Sequence, residues 1–285
     1  TISIYSGNTL LGPPVEANGG VISFTPSTAL SDGTYVLTAT ASDFAGNISA
    51  ASISLSLVID TAAPNAPTLT GASLTNSNRP ILSGVAEAGS TVTILEGGTT
   101  LGQATVGVNG AYSLVVATMA DGSHTLRAKA TDDAGNISSA STALVVVVDT
   151  VDPAVPTLTG TSPSSTSTPV ISGVAEANAT VTILNGNTSL GQASADAGGN
   201  YTFTPGSPLG DGTHLLSATA TDAAGNTGTA SAVFSLLIDT GVPGSPVLSV
   251  TQAITNDNKP VIGGTAEAGS TVSIYRGNTQ LGQVA

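Results

Sequence analysis

The sequence predicts an all-β protein built of tandem seven-stranded β-sandwiches, with a repeat period of about 90 residues and an expected arrangement as an elongated rod. Three observations carry this. An apolar run closed by aspartate recurs as Val58-Ile59-Asp60-Thr61-Ala62-Ala63-Pro64, Val148-Asp149-Thr150-Val151-Asp152-Pro153 and Ile238-Asp239-Thr240-Gly241-Val242-Pro243. Those aspartates lie 89 and then 90 residues apart, and a fixed spacing of that size is one domain repeated. Between them lie short runs alternating apolar with polar residues, separated by Gly, Asn and Asp, and no stretch keeps a capped 3.6-residue apolar period.

The period divides the 285 residues into two complete units, 60–148 and 149–238, and two partial ones. Residues 1–59 lack the first two strands and 239–285 lack the last ones, so neither should close a sandwich alone. Because the chain opens in mid-repeat at Thr1, without a start methionine or signal peptide, it is expected to be an excerpt from something longer. Five Lys and Arg against 18 Asp and Glu leave a net charge of -13. Such a chain repels nucleic acid and anionic membranes, and no apolar run reaches the ~18 residues of a membrane span. The absence of cysteine excludes a disulfide framework and a thiolate metal site.

The elements follow in order. Thr91-Val92-Thr93-Ile94-Leu95 puts Val92 and Ile94 on one face, and Thr1–Tyr5, Thr180–Leu184 and Thr271–Tyr275 repeat that alternation. Gly97-Gly98, Gly186-Asn187 and Gly277-Asn278 then supply hairpin turns. In the unit from 61 to 149 the predicted strands are 68–70, 80–86, 91–96, 101–106, 111–116, 123–132 and 139–148. The sixth is the most regular: Leu126, Ala128 and Ala130 share a face, as do Leu37, Ala39, Ala41 and Leu216, Ala218, Ala220. Tyr35 precedes Leu37 by two residues, the place of a tyrosine corner. His124 and His214 hold that place in the next units, which gives both histidines a structural role.

The connector Asp-Thr-x-x-Pro, the run Ser83-Gly84-Val85-Ala86-Glu87-Ala88 with its copy at 172–177, and Thr131-Asp132-Asp133-Ala134-Gly135-Asn136 with its copy at 221–226 form a set. Ser42-Asp43-Phe44-Ala45-Gly46-Asn47 adds a third copy of the last. The set resembles the bacterial immunoglobulin-like repeats of giant surface adhesins and biofilm-associated proteins exported by type I secretion. That resemblance covers the whole chain. It implies an extracellular, cell-surface stalk of rigid modules, often with calcium at the junctions. Its partners would be adjacent repeats of the same chain, with host or abiotic surfaces bound through other regions.

Topology supplies an independent argument for a metal. With strands alternating in direction, the loop after the second strand and the loop after the sixth share a pole with the incoming connector. Asp60, Glu87, Asp132 and Asp133 are thereby expected at one junction, and Asp149, Asp152, Glu176 and Asp222 at the next. Asp239 and Glu267 begin a third. Carboxylates gathered this closely repel unless a cation joins them, and an all-oxygen set suits Ca²⁺ better than Mg²⁺, which demands strict octahedral geometry, or Zn²⁺, which favours His and Cys. Asp32, Asp121 and Asp211 lie at the opposite pole beside the following connector. Asp-Gly and Asp-x-Ala-Gly-Asn are also turn formers in their own right, a reading that accounts poorly for the recurring Glu87, Glu176 and Glu267.

No nucleophile elbow, zinc-protease motif, phosphate loop or dinucleotide fingerprint occurs, so the chain is not expected to be an enzyme. Asn-x-Ser/Thr sequons at Asn47, Asn136, Asn178 and Asn187 would carry glycans only in a eukaryotic secretory host. Two other functions share the fold: a carbohydrate-binding accessory module of a secreted enzyme, and a phage fibre module. A sugar platform needs exposed rings, and Tyr112, Tyr201 and Phe203 fall at regular strand positions instead.

Overall fold

A computed structural model describes all 285 residues, and every regular element is a β-strand. The chain divides into two compact units, Thr1–Val151 with Ala224–Asn226 and Asp152–Ala223 with Thr227–Ala285. In the first repeat β1 (Ile2–Ser6), β2 (Thr9–Leu10), β3 (Gly33–Ala41) and β4 (Leu55–Ile59) form one sheet in the order β2-β1-β3-β4. The second repeat contains β5 (Leu74–Thr75), β6 (Ile81–Val85), β7 (Thr91–Glu96), β8 (Thr99–Thr105), β9 (Ala111–Val115), β10 (Gly122–Thr131) and β11 (Leu144–Val148). Its sheets run β5-β11-β10-β7-β8 and β6-β9.

The third repeat has the same seven-strand make-up: β12 (Thr159–Gly160), β13 (Ile171–Val174), β14 (Thr180–Asn185), β15 (Thr188–Ser194), β16 (Asn200–Phe203), β17 (Gly212–Thr221) and β18 (Phe234–Ile238). They form the sheets β12-β13-β16 and β15-β14-β17-β18. After the third connector come two hairpins, β19 (Val247–Val250) with β20 (Ile262–Thr265) and β21 (Val272–Arg276) with β22 (Thr279–Val284).

The period-2 alternation explains the core. Ala128 pairs with Ile94 and Ala130 with Val92 across β10 and β7. All four are fully buried, together with Leu126, Val146 and, from the facing sheet, Leu82. The third repeat packs Ile171, Val181, Ile183, Leu216, Ala218, Leu236 and Ile238 in the same way. No side chain of 1–59 or 239–285 joins the buried apolar set. Their inward faces stay open, with Ile4, Leu37 and Leu57 lining a hollow of 290 Å³ and Val247, Ile262, Val272 and Ile274 lining one of 440 Å³.

Two strand predictions need correction. The expected strand at 68–70 is a single bridge, Thr70 to Ser83, and the chain then crosses to pair β5 in parallel with β11. The expected strand at 139–148 is regular only from Leu144, because serine hydroxyls replace ladder carbonyls before it. Ser138 Oγ accepts the Ala130 amide at 2.8 Å and Ser141 Oγ accepts the Ala128 amide at 2.9 Å, and each hydroxyl donates to the next carbonyl along. Both serines are buried, so the ladder breaks without leaving donors unpaired.

The corner behaves as one structural position with three occupants. Tyr35 Oη donates to the Ser31 carbonyl at 2.9 Å. His124 Nε2 lies 2.8 Å from the Ala120 carbonyl, and His214 Nε2 lies 2.8 Å from that of Gly210. Tyr112 and Tyr201, buried at 5% and 3% exposure, donate to the carbonyls of Thr68 and Thr157 at 2.5 and 2.6 Å. Burial pushes both phenols up to about 12.

That tie passes over a glycine. A Cβ at Gly84 would collide with Thr68 O and stand 2.8 Å from Tyr112 Oη, with Gly173 equally crowded. Gly84→Ala therefore has to push the first segment off the sheet. The expected loss is about 1–3 kcal/mol, the usual cost of overpacking, read as a fall in the urea midpoint of the second repeat.

Candidate functional site

The connector between repeats is held from both sides by side chains. Asp32, in the turn before β3, accepts both the amide and the hydroxyl of Thr61 on Oδ1, at 3.0 and 2.8 Å. Asp121 accepts the same two groups of Thr150 at 3.0 and 2.9 Å, and Asp211 those of Thr240 at 3.0 and 2.9 Å. Each pair is separated by 29 residues. Asp60, Asp149 and Asp239 turn their own Oδ1 onto the amides of Ala62, Val151 and Gly241, at 3.0, 3.1 and 3.1 Å. The connector prolines Pro64, Pro67, Pro153 and Pro156 are buried.

From the other side the loop after β10 closes on the connector. Asp132 Oδ1 accepts the Asn136 amide at 2.8 Å, which draws the loop into a tight turn closed by Gly135 at φ +92°. Asn136 Nδ2 then divides its two hydrogens, one to Asp132 Oδ2 at 2.9 Å and one to the main-chain carbonyl of Asp60 at 3.0 Å. Asn226 Nδ2 makes the same bond to the Asp149 carbonyl at 2.8 Å. The hydrogen bond from the Asn136 side chain, ahead of the backbone amides, holds the Asp132 carboxyl below its usual 3.8.

The expected convergence of loops on the incoming connector is present at Asp60, but the side chains do not assemble a carboxylate cage. Nowhere do three or more His, Asp or Glu side chains form a group able to hold a metal ion. Asp132 is engaged by its own loop, and Asp60 by its own connector. Glu87 is exposed and lines a shallow hollow of 310 Å³ with Asn65, Ala66 and Thr68. Asp133, Asp152 and Glu176 are exposed, and Asp222 follows β17, half-buried. Glu267 Oε2 accepts the connector amide of Gly244 at 3.2 Å. The donor set suits Ca²⁺ in kind, all hard oxygen with no His or Cys, but an ion seeking 6–8 oxygens at about 2.3–2.6 Å would have to compete with these hydrogen bonds.

Sequence reasoning missed the connector threonines, and it weighed Asn136 and Asn226 as turn formers against metal ligands rather than as ties to the connector. The signal was there: Asp-Thr recurs in all three connectors, its threonine always 29 residues after the aspartate of an Asp-Gly turn.

Two facing sheets in each of the second and third repeats, and a hydrogen-bonded junction between repeats, define a class, the tandem immunoglobulin-like β-sandwich. A family model described as a bacterial Ig-like domain matches residues 1–61, 68–150 and 159–240. The chain therefore belongs to the bacterial Ig-like domain family, in three tandem copies. No curated protein matches it. Among solved structures it is similar to a tetra-tandem repeat from the extending region of a large adhesion protein, at 23% identity over 88% of this chain and 69% of that one, TM-score 0.29. It is also similar to the BSP domain of a biofilm associated protein, at 17% identity over 74% of this chain and 43% of that one, TM-score 0.27. The human OSCAR ligand-binding domain follows at 14% identity, covering 61% of this chain and 99% of that one, TM-score 0.29.

The asparagine bridge yields a prediction with a definite sign. A depressed carboxyl pKa stabilises the folded loop above about pH 4, and that contribution is lost as pH falls through the lowered value. Asn136→Ala should move the Asp132 carboxyl back up towards 3.8. It should also speed proteolysis within 60–67 several-fold near neutral pH. Carboxyl-carbon NMR titration and limited digestion read the two effects separately.

Proposed function

We propose that this chain is a stalk segment of a large bacterial surface adhesin. In this reading its repeats set reach and stiffness while regions elsewhere in the parent protein bind host or abiotic surfaces, in cell adhesion or biofilm formation. The observation that carries it is the connector held from both sides, Thr61 by Asp32 and the Asp60 carbonyl by Asn136. A loop meant to swing would leave those groups to water. Strands of ~10 residues at about 3.3 Å each, plus the connector, give each repeat on the order of 40 Å of reach. Stability should be close to a sum of repeat and junction terms, as in other linear arrays.

The family supports the reading, since one bacterial Ig-like domain is repeated three times in tandem along the chain. An extracellular location belongs to the same reading; no helix is long and apolar enough to cross a membrane. A stalk needs no catalysis. A carbohydrate-binding module is less favoured, since Tyr112, Tyr201 and Phe203 are buried.

Calcium belongs to this proposal as a second layer on the hydrogen bonds. The residues to hold it are Asp60, Glu87, Asp132 and Asp133 at the first complete junction, and Asp149, Asp152, Glu176 and Asp222 at the second, with Asp239 and Glu267 for the third. When bound, the ion would supply a charge-neutralising cross-link between connector and loop. Glu87 and Asp133 accept no hydrogen bond through their side chains, so the double variant Glu87→Ala/Asp133→Ala should be silent without the ion.

Thermal unfolding and small-angle scattering of the whole chain, with calcium and with excess chelator, test this. At 100-fold excess over Kd the ion should add about 2.7 kcal/mol, raise the Tm and lengthen the particle, and the double variant should diminish the response. A chain whose Tm and dimensions ignore calcium would remove the ion from the proposal and leave the hydrogen-bonded stalk. Strong segmental bending under every condition would remove the stalk as well.

A further inference from the structure

Both ring nitrogens of His124 face oxygen acceptors. Nδ1 lies 2.9 Å from Glu96 Oε1 at the end of β7, and Nε2 lies 2.8 Å from the carbonyl of Ala120. A neutral imidazole has one N–H and satisfies one of them, whereas the imidazolium donates to both. The ring is 14% exposed and the Glu96 side chain 37%, so the imidazole is largely shielded while water still reaches the carboxylate.

The equivalent corner of the next repeat is wired differently. His214 Nε2 faces the Gly210 carbonyl at 2.8 Å, but its Nδ1 faces the amide Nδ2 of Asn185 at 2.9 Å. A neutral ring completes that arrangement, with Nε2–H donating to Gly210 and Nδ1 accepting from the amide. In the first repeat Tyr35 fills the corner with a hydroxyl that donates to Ser31. One corner in three therefore needs a second proton to satisfy its neighbours.

Its location gives that proton leverage. Ala120 immediately precedes Asp121, whose carboxylate holds the Thr150 amide and hydroxyl in the outgoing connector. The charged surroundings are sparse. From β7 the facing group is Glu96, and β11 places Val146 opposite His124 in register. On its own turn Asp121 is engaged by Thr150, and along β10 the Arg127 Nη1 donates to the Ser141 carbonyl.

We propose that the His124–Glu96 pair is a proton-operated clasp on the junction after the second repeat: the protonated ring ties Glu96 to the Ala120 carbonyl and so steadies the turn that presents Asp121 to Thr150, and loss of the proton releases one of the two ties. The Ala120 carbonyl, and after it Glu96, raises the imidazole above its ordinary 6.5 against the opposing effect of burial. The clasp's contribution is then complete below about pH 6.5 and fades as pH rises through the raised value. It does not depend on calcium.

Hydrogen exchange on the whole chain in chelator, at about pH 5.5 and about pH 8.5 on either side of the imidazole titration, tests it. The readout is the protection of the Thr150 amide divided by that of Thr240, which Asp211 holds in the same way without the His124–Glu96 pair. Correcting for intrinsic rates, the ratio should fall about 3- to 10-fold on raising the pH, the range one hydrogen bond is worth. His124→Tyr keeps the corner with a hydroxyl and should flatten the ratio. Glu96→Gln, which can donate to Nδ1 as Asn185 does, should flatten it too and lower the His124 pKa measured by imidazole NMR. A ratio independent of pH in the unmodified chain, or a fall that survives His124→Tyr, overturns the proposal.

Discussion

The structure depends on one constraint, the capture of the connector's main chain by side chains from both neighbouring poles. A short link between two sandwiches costs about 1–2 kcal/mol per residue to order, and nothing in a β-ladder offsets that. Here the polar groups of the link are taken up individually. The threonine amide and hydroxyl go to an Asp of the preceding repeat, the next amide goes to the connector's own Asp, and that residue's carbonyl receives an Asn from the following repeat. The prolines remove further amides and fix φ where they are buried. Little of the link is left to explore other conformations.

That arrangement dictates where charge can sit. The sheets are built from Val, Ile, Leu and Ala packed at full burial, with Thr and Ser facing outward, and they leave no place inside for an unpaired carboxylate. The turns at the two poles can use Asp because Asp accepts the amides that turns leave orphaned. A chain with net charge -13 therefore concentrates its acids at junctions without needing a metal to explain their position. Hydrogen bonding accounts for the position of Asp32, Asp60, Asp121 and Asp132, but not for that of Glu87 and Asp133, whose side chains accept none.

Much of the fold was legible in the sequence, and the illegible parts share a cause. The period, the inward faces of 91–96 and 122–131, and the equivalence of Tyr35 with His124 and His214 all follow from residue type at a spacing, which is what alternation records. The break before Leu144 was hidden because serine hydroxyls at 138 and 141 stand in for carbonyls, and alternation cannot distinguish the two. The poles to which the acidic loops belong were also legible from strand direction. The direction of each carboxylate within its loop was not: Asp132 turns back onto Asn136 rather than toward Asp60, and only local geometry decides that.

The recurring glutamate shows how the two explanations of the junction can be weighed. Its return as Glu87, Glu176 and Glu267 in a loop where Asn or Gly would serve seemed to require a ligand. Glu267 reaches the Gly244 amide, just past the first connector proline, and Glu87 borders the hollow beside Asn65, the residue at that same point in its connector. A glutamate is long enough to cap a connector amide from the neighbouring loop, and the shorter Asn is not. The amide and a calcium ion would therefore compete for the lone pairs of the same oxygen, one as hydrogen-bond donor and the other as cation. A residue serving the first is already placed for the second, so the hydrogen-bonded junction is the state from which any metal-bound one would have to be reached.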